Sequence, residues 1–128
     1  MAESDKKITN SLILIPKAER YIQYMIEVII KMPRTEKFSI GTEYKQSMYR
    51  MLEIILYIEK TNDNEKLLLI NKVDSELNVQ RIFLRIMVKN CWIDKKKFDV
   101  AMEQIYELGK IIGGLVKFYA KNNKKYVW

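Results

Sequence analysis

Apolar residues recur at steps of three and four through nearly the whole chain. That spacing restricts the fold to helices that each bury one face. Ala18, Ile22, Met25, Ile26 and Ile29 make a first stripe between residues 17 and 32. Tyr44, Met48, Met51, Ile55 and Ile58, flanked by Leu52 and Leu56, make a second. Leu67, Ile70, Val73, Leu77, Leu84 and Val88 make a third. Phe98, Ala101, Met102, Ile105, Leu108, Ile112, Leu115 and Val116 make a fourth, which runs to about residue 121.

The breaks fall where helix chemistry wants them. Pro16 suits a first helical turn, so residues 12–15 read as a short extended lead-in behind a frayed polar start. Pro33 ends the first helix, because the residue before a proline is pushed out of the helical region. The second helix is expected to start near Thr35 or Ser39, either of which can cap. Thr61-Asn62-Asp63-Asn64 reads as a loop, with Asn62 or Asp63 capping the third helix. Cys91-Trp92-Ile93 reads as an apolar corner, and Asp94 caps the last helix. Helices of about 20–26 residues are about 30–40 Å long, and short loops force antiparallel neighbours. The expectation is an all-α, antiparallel, up-down-up-down four-helix bundle over residues 16–121. A lead-in (1–15) precedes it and a basic, aromatic tail (122–128) follows.

The chemistry of catalysis is thin. The chain has no histidine and one cysteine, Cys91. These absences remove the commonest general base, the thiolate zinc sites and the Glu-x-x-His di-iron pattern of bundles. No phosphate-loop or dinucleotide glycine motif occurs. No cofactor and no enzymatic activity are expected. A single cysteine fits a reducing compartment, and no stretch has the length and apolarity of a leader or membrane span, so a cytoplasmic protein is expected. Gly109, Gly113 and Gly114 lie inside the fourth stripe, where each costs about 0.5–1 kcal/mol relative to alanine. Close helix–helix approach is the favoured reason.

Charge points to anionic partners. The chain carries 23 Lys and Arg against 16 Asp and Glu, a net charge of +7, which suits nucleic acid, an acidic protein or a membrane surface. No acid follows Glu107, while Lys110, Lys117, Lys121, Lys124 and Lys125 do. Arg81, Arg85 and Lys89 stack at four-residue spacing on one helix face, where like charges repel unless an anion offsets them. The alternative is a solvated face, or ion pairs with Glu103 or Glu107. Lys110, Lys117 and Lys121 share a face of the last helix, either as a phosphate-neutralising row or as a solubilising surface. Lys95-Lys96-Lys97 sits at the helix end unfavourable to cations and reads foremost as solvated. The tail Lys124-Lys125-Tyr126-Val127-Trp128 could stack on bases or pack on another subunit, or stay disordered. Tyr21, Tyr24, Tyr44, Tyr49, Tyr57 and Phe83 read as core or subunit contacts. Ile86, Ile111 and Phe118 are left over once the core is assigned and suggest self-association.

Four segments carry a family resemblance across roughly residues 12–118. They are Lys17-Ala18, the proline-led junction Met32-Pro33-Arg34-Thr35-Glu36-Lys37-Phe38-Ser39-Ile40-Gly41, the third-helix run Asp74-Ser75-Glu76-Leu77-Asn78-Val79-Gln80-Arg81-Ile82-Phe83-Leu84-Arg85, and Glu107-Leu108-Gly109-Lys110-Ile111-Ile112-Gly113-Gly114-Leu115-Val116-Lys117. Together they resemble the accessory variability determinant proteins of diversity-generating retroelements. Related bundle proteins encoded in ribosomal RNA intervening sequences carry a small-residue stretch in helix two. Here that region reads Ser47-Met48-Tyr49-Arg50-Met51-Leu52-Glu53. Cys91-Trp92 departs from the small or glycine-containing turn usual in the family.

The resemblance implies a four-helix-bundle, non-catalytic accessory subunit that assembles as a homopentamer. It implies binding to the element's reverse transcriptase and to RNA and DNA, including the RNA–DNA hybrid, in support of mutagenic copying of a template RNA. It matches Arg81 and Arg85 to arginines of the family's third helix. The expected nucleic-acid residues are Arg81, Arg85, Lys89, Lys110, Lys117 and Lys121. The competing expectation is a protein-interaction scaffold of bundle type without nucleic-acid affinity.

Overall fold

The computed structural model describes the backbone of residues 2–123 and the side chains of residues 13–122. Four long helices, α1 (Ala2–Ile30), α3 (Ile40–Ile58), α4 (Asp63–Lys89) and α5 (Lys95–Asn123), are joined by short connections, with a single helical turn, α2 (Arg34–Lys37), inside the first of them. No strand occurs among the described residues. α1 packs on α3 and α5, and α4 packs on α3 and α5. The four long helices therefore stand as an antiparallel up-down-up-down bundle.

The stripes meet on the bundle axis. Met25 and Ile29 of α1, Met48 and Met51 of α3, Ile70, Leu77, Leu84 and Met87 of α4, and Ile105 and Leu108 of α5 are fully buried. Each such side chain contributes about 1.5–3 kcal/mol of burial.

α1 differs from the sequence expectation. Helix does not begin at Pro16 but runs through it. Leu14 is buried, one turn ahead of Ala18 in the same stripe. Its burial lets the core hold a proline that would cost an isolated helix about 3 kcal/mol. The tail from residue 124 onward lies outside the described residues.

The connections obey local rules. α1 ends at Ile30, a buried Met32 follows in the connection, and Pro33 precedes the α2 turn, its carbonyl accepting from Lys37 N at 2.8 Å. Neither expected cap of the second long helix is made: Ser39 precedes Ile40 but makes no side-chain capping bond, and its hydroxyl instead donates to Thr35 O at 3.0 Å. Gly41 is buried there because a β-carbon would lie 2.9 Å from Ile29 Cγ2 and 3.3 Å from Glu36 O. Asn62 caps α4, its Oδ1 accepting from Glu65 N at 3.1 Å. Asp94 caps α5, accepting from Lys97 N at 2.8 Å.

The α4–α5 corner closes without glycine. Trp92 N donates to Met87 O at 2.9 Å and Cys91 N to Val88 O at 3.1 Å. This is the Schellman pairing, whose left-handed position is usually glycine. Here Cys91 takes it, at φ 63°.

Candidate nucleic-acid interface

The six cations expected to touch nucleic acid lie on α4 and α5, and the structure gives them different surroundings. Arg81 is half-buried. One guanidinium nitrogen donates to Asn78 Oδ1, and the other lies over Gly109, where a β-carbon would sit 2.7 Å from it. The missing side chain at Gly109 thus makes a seat for an arginine crossing from α4 to α5. Gly113 has nothing within 4 Å of its β-carbon position, so the Arg81 side chain, not close approach of the helix backbones, accounts for Gly109, and neither accounts for Gly113.

Arg85 and Lys89 are exposed. Among the described residues no ion pair joins Arg81 or Arg85 to Glu103 or Glu107. Glu107 instead pairs with Lys17 across the α1–α5 interface at 3.0 Å. Lys110, Lys117 and Lys121 are exposed on the outward face of α5, and the Lys110 ammonium lies 5.1 Å from the Tyr106 ring centroid.

These residues do not converge. α4 and α5 run antiparallel with Arg81 level with Gly109. Lys89 lies two turns along in one direction, and Lys121 three turns along in the other. At 1.5 Å per residue, Lys89 and Lys121 are about 30 Å apart along the bundle. The geometry is a long basic track on one helical hairpin, suited to a polyanion and not to a compact anion.

Behind Arg81 runs a buried hydrogen-bond chain that the apolar pattern conceals. Tyr21 Oη donates to Gln80 Oε1 at 2.6 Å and lies 2.5 Å from Tyr44 Oη. With the Tyr21 proton committed to Gln80, Tyr44 donates to Tyr21. Gln80 Nε2 donates to Ser47 Oγ at 3.0 Å, and Ser47 Oγ to Glu76 Oε1 at 2.7 Å. Arg50 Nε holds that carboxylate at 3.0 Å. The chain crosses α1, α3 and α4 with the donor direction preserved. Burial pushes both tyrosine hydroxyls well above their ordinary range; Tyr44's ionisation adds to the rise at Tyr21, and the Arg81 charge opposes it there. The sequence signal was a polar residue, Gln80, on the stripe that otherwise reads Val73, Leu77, Leu84.

α4 also carries an apolar row on its outer face. Leu68, Val79, Ile82 and Ile86 are exposed and lie within a narrow arc opposite the buried stripe, given 100° per residue. Of the three leftover apolar residues expected from sequence, Ile86 is exposed while Ile111 and Phe118 are half-buried against the core. Tyr21 and Tyr44 are core residues, and Phe83 packs on the Tyr44 ring at 6.2 Å. Tyr49 and Tyr57 are exposed.

No group of three or more His, Cys, Asp or Glu placed to hold a metal occurs among the described residues. No described helix is long and apolar enough to cross a membrane. The recess lined by Leu14, Ile55, Ile58, Ile70, Leu115 and Tyr119 holds about 20 Å³, room for about one water.

Comparison with known proteins agrees with this architecture. A solved structure of a protein of unknown function, from the S23 ribosomal protein family of Bacteroides thetaiotaomicron VPI-5482, superposes with a TM-score of 0.77 at 12% identity. The match covers 84% of this chain and 98% of that one. At that identity the likeness speaks for the fold alone. No curated protein matches. The family model described as bAvd-like matches residues 12–119, and it covers all four long stripes and the junctions between them. The chain belongs to the bAvd-like family, the accessory variability determinants associated with diversity-generating retroelements, whose members are non-catalytic accessory proteins.

Proposed function

We propose that this chain, bacterial or phage-encoded, is a cytoplasmic accessory subunit of a retroelement's reverse transcriptase, holding RNA, DNA and their hybrid through its basic surfaces during mutagenic copying of a template RNA. The observation that carries the reading is the basic track of α4 and α5. Arg85, Lys89 and Lys117 are exposed and make no ion pair among the described residues. The repulsion between Arg85 and Lys89, four residues apart on α4, is left for a polyanion to offset. Recognition is by charge and shape, because phosphate contacts carry no sequence information.

The protein acts as a homo-oligomer, a homopentamer by family resemblance. The outer row of α4 supports self-association. Four apolar side chains on one exposed helical face cost solubility unless a neighbour covers them. A cyclic assembly also repeats the basic track once per copy.

Affinity for RNA–DNA hybrid, measured across a salt series, tests the nucleic-acid role, and steep weakening with salt is expected. Arg85→Ala with Lys89→Ala and Lys117→Ala should weaken binding while the helical spectrum persists. Unchanged affinity removes these residues from the site. The same outer row also favours a second reading, a scaffold that binds protein alone. Capture of the reverse transcriptase after nuclease treatment, with no affinity for nucleic acid in dilute buffer, would select it.

A further inference from the structure

The bundle has one strongly basic end, and the track on its flank reaches that end only at Lys89. The connection from α1 to α3 and the corner from α4 to α5 sit at the same end of the antiparallel bundle. Asp94 of that corner is close enough to Tyr24 of α1 to raise its hydroxyl pKa, after the larger effect of burial. Residues 31–38 and 89–99 together hold seven cations and three carboxylates. The connection at the opposite end, residues 59–66, holds three carboxylates and two lysines.

Few of the seven charges are neutralised internally. Lys95 pairs with Asp99 at 2.9 Å. Lys37 donates to Ile30 O at 3.2 Å. Lys31, Arg34, Lys89, Lys96 and Lys97 make no ion pair among the described residues, and all but the half-buried Lys97 are exposed. The Asp94 carboxylate is taken up by the cap it makes to Lys97 N.

An aromatic ring stands at the same end, beside Lys37. Phe38 is 67% exposed, with the Lys37 ammonium 5.5 Å from its ring centroid. It follows the α2 turn, whose sequence contributes nothing to the core. An exposed ring beside unpaired cations is the composition of a single-strand platform: cations follow the phosphates while the ring stacks on an unpaired base. A duplex offers phosphates but no free base face.

We infer that this end face seats single-stranded nucleic acid, with Lys31, Arg34, Lys89, Lys96 and Lys97 meeting phosphates and Phe38 stacking on a base. The inference rests on the nucleic-acid role proposed above and gives it a second site with a different preference. The test measures affinity for a single-stranded RNA and for an RNA–DNA hybrid of equal length by fluorescence anisotropy. Phe38→Ala, the triple variant Arg34→Ala/Lys96→Ala/Lys97→Ala, and a flank control Lys110→Ala/Lys117→Ala are compared, with circular dichroism confirming helix content. Phe38, Arg34, Lys96, Lys110 and Lys117 are exposed, and Lys97 is half-buried in the first turn of α5 without an ion pair among the described residues, so the bundle persists. Phe38→Ala should weaken single-strand binding by about 5- to 150-fold and leave hybrid binding within about twofold. The triple variant should lower the single-strand salt slope by about two, more than the flank control does. Single-strand binding unchanged in both end variants, or equal loss on hybrid in Phe38→Ala, overturns the inference while the nucleic-acid role stands. A wild-type chain that binds no nucleic acid in dilute buffer overturns that role, and the inference with it.

Discussion

The hydrogen-bond chain from Tyr44 to Glu76 makes a graded prediction, because removing a link costs according to what it orphans. In Tyr21→Phe the hydroxyl that joins Tyr44 and Gln80 is lost. The Tyr44 O–H then has no acceptor, and Gln80 Oε1 loses its donor. A buried group left without a partner costs about 1–3 kcal/mol, so Tyr21→Phe, which orphans two, should cost about 2–6 kcal/mol. Gln80→Leu removes the acceptor of Tyr21 and the donor to Ser47, a loss of the same size. Tyr44→Phe removes only the terminal donor. Tyr21 still donates to Gln80, so the cost is one net hydrogen bond, about 1 kcal/mol. At about 4 °C per kcal/mol for a domain of this size, Tm should fall by about 8–24 °C for the inner two variants and about 4 °C for Tyr44→Phe. Urea unfolding with a constant m-value checks the free energies. Equal costs for Tyr21→Phe and Tyr44→Phe would refute the directional chain, as would a Gln80→Leu variant as stable as wild type.

Other expected outcomes follow from single positions. Cys91→Gly should stabilise the protein by about 0.5–1 kcal/mol, since relief of a left-handed φ is worth about 1–2 kcal/mol and glycine's extra backbone entropy opposes it; a lower urea midpoint contradicts this. Gly113→Ala should stabilise by about 0.5–1 kcal/mol because its β-carbon meets nothing within 4 Å. Gly41→Ala should destabilise by about 1–3 kcal/mol, since its β-carbon meets Ile29 and the Glu36 carbonyl; the two midpoints moving in the same direction would count against the packing described. Burial raises the hydroxyls of Tyr21 and Tyr44, and raises Tyr119 to about 12, with Glu59 and Asp63 adding to the last. Above about pH 10 the unfolded chain therefore binds fewer protons than the folded one, and stability should fall with rising pH by up to about 1.4 kcal/mol per unit for each tyrosine. A urea midpoint flat between about pH 9 and pH 11 contradicts that burial.

The helices were legible because their signals are local. The three-and-four spacing, Pro33, the Asn62 cap and the Asp94 cap each depend on residues a turn apart, and each appears as read. Pro16 misled because a local penalty was weighed without the core contact of Leu14, which only tertiary structure supplies. Ser39 misled because its hydroxyl had a competing carbonyl one turn back. Gly109 and Arg81 lie far apart in sequence, so no periodicity could reveal the seat that one makes for the other. The polar chain was hidden for a similar reason: Gln80 stands on the buried stripe of α4, but its partners Tyr21 and Ser47 come from two other helices. The Lys95-Lys96-Lys97 run was visible but read as solvated, because the connection that joins it at the basic end lies some fifty residues away in sequence.

Long-range electrostatics, more than any single contact, decides the functional account, and ionic strength is its direct probe. The decisive measurement is the affinity of the purified protein for an RNA–DNA hybrid and for single-stranded RNA between about 50 and 200 mM salt. The account predicts a linear fall of log affinity against log salt, with a slope reporting several phosphates neutralised per bound protein at about 0.7–0.9 each. An affinity indifferent to salt, or none at the lowest concentration, contradicts it.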